Sequence, residues 1–551
     1  MQGRQKTSSH TRRWRWFRWL AAAMAGLLAL LACVGSMLAR RAEPWLRARI
    51  VAELEQRFQA SVELDSFRVW FSDGLWAEGK GLRIWPQASV EGIAVPGPGQ
   101  PLIRLAEFRF HAPIHLKPGA PLHISKVELK GLVVDLPPKT RFAHVAAAVK
   151  APRTRAFASM VHFQVDALEC EGAQLTLETS KPGKLPEQIA IARLRITGES
   201  EGAPVGFEAE LTNPYPVGQI HTTGTLGPWQ VSDPGETPIT GQYRFEHADL
   251  ATIRGIGGAL TSAGSYQGTL RDLTVDGETE TPDFRLTHFG TALPLHTRFH
   301  AKVDATNGDT WLQAVEATLG RSHFRARGQI VRVIADGQSI GHDVALTVDI
   351  DDGRIEDFLR LASRSGTPLL TGALTMKAAL DLPPGKDPVH QRLKLNGAFA
   401  LDQALFTSDK IQGRIGELSA RGLGRPKDAK QPGAAQTRSA MHGSFTMASG
   451  AITLPDLQYT VPGAEIALKG AYGIDGGTLD FTGEAKLQAT VSQAVGGWKG
   501  LLLKPVDRFF QHDGAGVEVP IHIRGTRDAP DFGIDFNRLR PSSPQEPDRQ
   551  P

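Results

Sequence analysis

From Ser61 onward the apolar residues of this chain recur at every second position, and that period admits few folds. Val62-Glu63-Leu64, Phe67-Arg68-Val69 and Leu82-Arg83-Ile84 are short alternating runs. In the stretch from Thr240 to His247, Gly241, Tyr243 and Phe245 alternate with Gln242, Arg244 and Glu246. Val344, Leu346, Val348 and Ile350 alternate likewise with Ala345, Thr347 and Asp349. Successive side chains of a strand point to opposite faces, so each run has one apolar and one polar face. That is the pattern of antiparallel sheet, since strands covered on both sides are apolar throughout. The 58 glycines and 36 prolines are spread along the chain and read as many turns between short strands.

Internal repeats organise these strands. Ile124, Val127, Leu129, Gly131, Val134 and Leu136 recur 41 residues later as Val165, Leu168, Cys170, Gly172, Leu175 and Leu177. Leu312, Val315, Ala317, Leu319, Phe324, Ala326 and Gly328 recur 142 residues later as Leu454, Leu457, Tyr459, Val461, Ile466, Leu468 and Gly470. Leu273-x-Val275-x-Gly277 with Pro282-Asp283-Phe284 matches Ile521-x-Ile523-x-Gly525 with Pro530-Asp531-Phe532, at an offset of 248. The unequal offsets exclude a regular solenoid and point to one hairpin type reused with insertions.

Ahead of the strands, Trp19 to Ala39 carries no charge and is dominated by Leu, Ala, Met and Val. As a helix it spans roughly 30 Å, the hydrocarbon thickness of a bilayer. Its length and its ending in Leu38-Ala39-Arg40-Arg41 count against a cleaved signal peptide, and six further apolar positions after Cys33 count against a lipoprotein. Arg4, Lys6, Arg12, Arg13, Arg15 and Arg18 precede the span without an acidic residue, so the positive-inside rule places the N-terminus in the cytoplasm and the bulk of the chain outside. Pro44 to Gln59 reads as an amphipathic helix. Leu46, Ile50, Leu54 and Phe58 form its stripe, which would cap a sheet or lie on the membrane surface.

Chemistry is hard to find. No phosphate loop, nucleophile elbow, HExxH or CxxC occurs, so the expectation is a non-enzyme without cofactor or metal. His111 and His115, and His296 and His300, are spaced four apart, about 13 Å on a strand and too far to share an ion. Asp304 to Thr310 (DATNGDT) lacks the carboxylate alternation of a calcium loop, and Asn307-Gly308 suits a hairpin turn. Net charge is only +4 and its basic cluster is N-terminal, so nothing points to nucleic acid. Cys33 and Cys170 do not make a disulfide framework. Gly353 to Arg364 reads as a short helix. Ser492 to Gln511, with Trp498, Phe509 and Phe510, reads as an apolar helix that plugs a sheet end or makes a distal membrane or partner contact.

Three segments resemble the AsmA-like family of bacterial envelope proteins. One is the anchor and helix followed by Val62-Glu63-Leu64 to Gly81-Leu82-Arg83-Ile84. The second runs from Gly353 through Gly372-Ala373-Leu374 to Leu393-x-Leu395-x-Gly397-x-Phe399. The third runs from Val461-Pro462-Gly463-Ala464-Glu465 through Leu479-Asp480-Phe481 and Leu503-Lys504-Pro505-Val506-Asp507 to Pro520-Ile521-x-Ile523-x-Gly525-Thr526. The resemblance implies a single-pass inner-membrane protein, periplasmic in bulk, that serves outer-membrane biogenesis. It also implies a likeness to bridge-type lipid carriers, whose long curved sheet forms a groove with an apolar floor. The expected fold is therefore mainly β: an N-terminal transmembrane helix, then an elongated, curved, groove-like antiparallel sheet with a few short helices. The parts are a basic cytoplasmic segment (1–18), the transmembrane helix (19–39), a juxtamembrane helix (40–60), a repetitive β region (61–349), an AsmA-like β region (350–536) and a disordered tail (537–551). If roughly 20–25 strands stack, the sheet reaches on the order of 100 Å.

Alternation nominates Tyr243, Phe245, Leu346, Val348, Phe399 and Ile466 for the floor, with phospholipid or another envelope lipid as cargo. The inner membrane is the expected partner at one end, with the outer membrane or envelope proteins as further partners. The rival expectation is a non-catalytic assembly or scaffold factor whose sheet edge pairs with outer-membrane clients.

Overall fold

The computed structural model describes residues 43–55, 60–90, 93–96, 100–113, 122–136, 163–177, 181, 183–198, 203–214, 216–228, 230, 233–253, 255–287, 291–361, 367–428, 436–490, 492–493, 517–527 and 529–534. The Trp19–Ala39 segment, the tail from 537 onward, Trp498, Phe509 and Phe510 lie outside them. Among the described residues no helix is long and apolar enough to cross a membrane.

The protein is mainly β. Its strands are β1 (Ala60–Phe71), β2 (Leu75–Val90), β3 (Ile93–Pro96), β4 (Ile103–Ala112), β5 (Leu122–Ile124), β6 (Val127–Leu136), β7 (Phe163–Val165), β8 (Ala167–Leu177), β9 (Glu187–Thr197) and β10 (Val205–Pro214). They continue as β11 (Val217–Leu226), β12 (Pro238–Asp249), β13 (Ile256–Gly257), β14 (Ala259–Thr269), β15 (Leu273–Leu286), β16 (Leu293–Asp304), β17 (Asp309–Leu319), β18 (Ser322–Ala335) and β19 (Gln338–Arg354). The last are β20 (Leu370–Leu382), β21 (Lys394–Phe406), β22 (Ser439–Ala448), β23 (Ala451–Val461), β24 (Ala464–Gly473), β25 (Thr478–Leu487), β26 (Val517–Thr526) and β27 (Ala529–Ile534). The chain divides into two compact units. The first takes Met1–Ser180, Pro186–Thr212 and His221–Gly241; the second takes Lys181–Leu185, Asn213–Ile220 and Gln242–Pro551.

In the first unit β1, β2, β4, β6, β8, β9 and β10 pair in that order. One apolar row crosses all of them: Phe67, Gly79, Phe108, Leu129, Cys170, Leu194 and Ala209. Gly79 is required there, because a Cβ would stand 2.2 Å from the Phe108 ring. The helix over 43–55 buries Leu46 against this core, with Ile50, Val51 and Leu54 packed beside it, which is the capping role.

The 41-residue repeat has a structural meaning that alternation alone did not convey. Val127 pairs with Leu168 and Leu136 with Leu177, so β6 and β8 lie parallel at an offset of 41 throughout. β5 and β7 do the same, Ile124 facing Val165. The expectation of a wholly antiparallel sheet is corrected here. Parallel neighbours need a crossover, which a tight turn cannot supply, and the intervening 137–162 lie outside the described residues.

Cys170 sits 4% exposed in this core, and burial pushes its thiol up. In a Cys33→Ser protein at pH 8, alkylation by iodoacetamide is therefore expected to be at least tenfold slower than for a free thiol. Denaturant should restore the full rate; equal rates in both states would refute the burial.

In the second unit each strand from β14 to β27 pairs antiparallel with the next. The 142-residue repeat is the hairpin β17–β18 reappearing as β23–β24. Both carry a bulge at the same place, between Leu312 and Val315 in one and between Leu454 and Leu457 in the other. Both turns are also covered by a helix. Phe358 and Leu361 of the Ile355–Leu361 helix pack on Leu319 and Phe324, and Ile415 of the Asp409–Gly422 helix packs on Val461 and Ala464. The 248-residue match does not carry over. Pro282-Asp283-Phe284 continues strand β15, whereas Pro530-Asp531-Phe532 forms the separate strand β27 after a turn.

Glycine serves the strands as well as the turns. Gly264, Gly277, Gly328, Gly397, Gly470 and Gly483 lie inside strands. A Cβ on Gly264 would stand 2.2 Å from the Asp276 carbonyl oxygen, and one on Gly483 would stand 1.9 Å from that of Ala467. These positions permit close strand approach, a use of glycine that composition cannot distinguish from turns.

Candidate functional site

The second unit presents one apolar face of unusual continuity. Following the pairing from β14 to β27, one row reads Tyr266, Val275, Ala301, Leu312, Gly328, Leu346, Leu380, Leu395, Met447, Ile452, Tyr472, Leu479, Gly525 and Pro530. Fourteen strands contribute and none supplies a charged residue. At about 4.8 Å per strand the row runs about 60 Å along the sheet, twice the hydrocarbon thickness of a bilayer. The neighbouring row holds Gly264, Gly277, Phe299, Val315, Ala326, Val348, Ala378, Gly397 and Phe445.

The opposite face is built differently. One residue away from that second row, Glu278, Arg298, Glu316, Arg325, Asp349 and Lys377 face each other in sequence across six strands. Signs alternate at every step. Opposite charges directly across a sheet each contribute a few tenths of a kcal/mol and keep this face wet.

All six residues nominated by alternation lie on the apolar face, and all are half-buried. Leu346 and Val348 belong to the two rows above. Phe399 pairs with Met376 and Gly443, its ring centroid 6.2 Å from that of Phe445. Ile466 stands between Tyr459 and Ala485. Tyr243 lies over the glycines of β14 and β15, where a Cβ on Gly277 would come within 2.4 Å of its hydroxyl, and Phe245 lies over Gly218. Met447, Ile452, Tyr472 and Leu479 extend the face and were not nominated. Their strands do alternate, and at Ile452 the count is interrupted by Pro455 and the bulge after Leu454. Trp498, Phe509 and Phe510 lie outside the described residues.

The face is not uniform. Toward β14–β16 it carries hydroxyls: Tyr243 Oη is 3.1 Å from Ser262 Oγ, and Thr279 Oγ1 is 2.7 Å from Thr297 Oγ1. Burial pushes the Tyr243 phenol up, so it remains neutral at any physiological pH. At the hairpin ends, the two helices cover part of the face. The Asp409–Gly422 helix was missed because Gly413 and Gly416 mask the Ile411, Ile415, Leu418 spacing that marks it.

The polar clusters have local partners. Asp304 accepts from Thr306 N, Thr306 Oγ1 and Asn307 Nδ2 and pairs with Lys181 Nζ at 2.7 Å; Lys184 Nζ donates to Asp309 Oδ1 at 2.9 Å. DATNGDT is thus a turn whose carboxylates are taken by amides, a hydroxyl and lysines. His296 and His300 bond to Glu280 and Asp276 on the neighbouring strand at 3.0 and 2.7 Å. Among the described residues no group of three or more His, Cys, Asp or Glu is placed to hold a metal ion. No family model, curated protein or solved structure matches the chain.

Proposed function

We propose that the apolar face of the second unit binds acyl chains of an envelope phospholipid and lets them slide along it, in an inner-membrane-anchored periplasmic protein of outer-membrane biogenesis. In this reading the sheet is an elongated, curved trough, the headgroups stay in water and no catalytic residue takes part. The observation that carries it is the uncharged row from Tyr266 to Pro530, backed on the other face by the alternating charges. Each methylene withdrawn from water contributes about 0.8 kcal/mol, and a row without charged side chains offers no fixed barrier to translation.

The test is to purify residues 41–551 and analyse the accompanying lipid by mass spectrometry. Phospholipid at about one or more molecules per chain is the expected result. A well-folded, lipid-free protein would overturn the reading and bring forward a non-catalytic assembly factor that offers a sheet edge to outer-membrane clients.

A further inference from the structure

Four aromatic side chains are conspicuously exposed among the described residues: Trp45 (53%), Trp70 (36%), Phe71 (37%) and Phe532 (52%). The first three occupy one end of the first unit. Trp70 and Phe71 close strand β1 at the tip of the β1–β2 hairpin, where Trp70 pairs with Trp76 and Trp76 with His111. The rings form a ladder, with centroids 6.0 Å apart for Trp70–Trp76 and 4.6 Å apart for Trp76–His111. Asp73 Oδ1 accepts from Trp76 Nε1 at 2.9 Å and holds that indole at the tip.

Two hydrogen bonds orient the preceding helix against this hairpin. Arg47 Nη2 donates to the Leu64 carbonyl, and Glu55 Oε1 accepts the Val62 amide, so the helix over 43–55 runs opposite to β1 and its first residues point toward the hairpin tip. From Leu64 to Trp70 a strand advances roughly 20 Å, whereas from Arg47 back to Glu43 a helix advances only about 6 Å. With helix and strand side by side the tip therefore projects past the start of the helix by up to roughly 14 Å. Glu43 stands four residues after Ala39, the last residue of the uncharged 21-residue segment, and those four steps can span at most about 14 Å.

We infer that the β1–β2 hairpin tip, with Trp70, Phe71 and Trp76, is seated in the interfacial layer of the bilayer from which the chain emerges. The inference rests on the reading of Trp19–Ala39 as a membrane anchor. Indole rings prefer that layer because their apolar body and N–H find lipid and water within a few ångströms. A cross-strand tryptophan pair would also stabilise a hairpin in water, so location and not stability is what separates the two roles.

The full-length protein carrying Cys33→Ser, with buried Cys170 left in place, is reconstituted in vesicles of phosphatidylethanolamine and phosphatidylglycerol. Nitroxides are attached singly at Trp70→Cys, Phe71→Cys, Leu27→Cys and, as a water reference, Arg298→Cys. Power-saturation EPR then compares collisions with oxygen and with a water-soluble nickel chelate. Labels at 70 and 71 should be shielded from nickel at least threefold relative to 298. Two labels at the tip guard against one disturbing it. Nickel access at 70 and 71 equal to that at 298, with 27 in hydrocarbon, overturns the hairpin seat alone. Nickel access at 27 removes the anchor reading and the inference with it.

Discussion

Aspartate in place of Val348 is expected to reduce the lipid accompanying the purified protein at least about tenfold while leaving its circular dichroism unchanged. Val348 lies between Ala326 and Ala378, in a row whose members are all apolar from Gly264 to Phe445. An acyl chain seated on that row would strip water from the new carboxylate, at a cost of several kcal/mol against 1.4 kcal/mol per tenfold in occupancy. Leu346→Asp repeats the test one row along, beside Gly328, and should have the same effect. Thr347→Asp points to the opposite, exposed face and should leave loading unchanged. A folded, fully loaded Val348→Asp protein would remove this face from the lipid path.

Truncating Asp357 to alanine should cost about 3 kcal/mol locally. The carboxylate is 1% exposed and accepts from the Arg321 amide and from Ser322 Oγ, both at 2.9 Å. Ser322 is itself fully buried, and its hydroxyl oxygen accepts the Arg354 amide. Removing the acceptor leaves the half-buried Arg321 N–H without this partner and leaves the buried Ser322 hydroxyl only the longer bond to the Arg354 carbonyl at 3.3 Å, and a lost bond of this kind costs about 1–3 kcal/mol. Asn at 357 keeps one acceptor oxygen and should lose less. Long sheets need not unfold in one step, so the informative readout is hydrogen exchange of the 319–324 amides. Protection should fall about a hundredfold in Asp357→Ala, and unchanged protection would show that the helix does not hold the turn.

The β class was legible from period alone, because Tyr243/Phe245 and Leu346/Val348 show the pleat directly. The 142-residue repeat was legible, and the pairing shows that the irregular spacing shared by Leu312/Val315 and Leu454/Leu457 is a bulge. What period cannot convey is which neighbour a strand takes. The 41-residue repeat looked like any other, yet its copies lie side by side and parallel, a pairing that depends on a crossover distant from both strands. The proline-aspartate-phenylalanine match misled for a related reason: three identical residues continue one strand and begin another. The six nominated residues share a face because alternation fixes faces. Gly277, Gly328 and Gly470 were legible as members of the strand repeats, but the close approach they permit depends on the neighbouring strand and not on local sequence.

The alternating charges from Glu278 to Lys377 also make strands β15 to β20 a ruler graduated in pairs. Excising the β17–β18 hairpin would bring Arg298 opposite Asp349, an attractive contact, and would join apolar row to apolar row. Excising β17 alone would set Arg298 against Arg325, and the chain direction would no longer match. A stretch of antiparallel strands paired in this way keeps its charge matching only when it lengthens or shortens by two strands, about 10 Å at a time. Its reach would thus change by whole hairpins while charge still meets opposite charge and apolar row still meets apolar row.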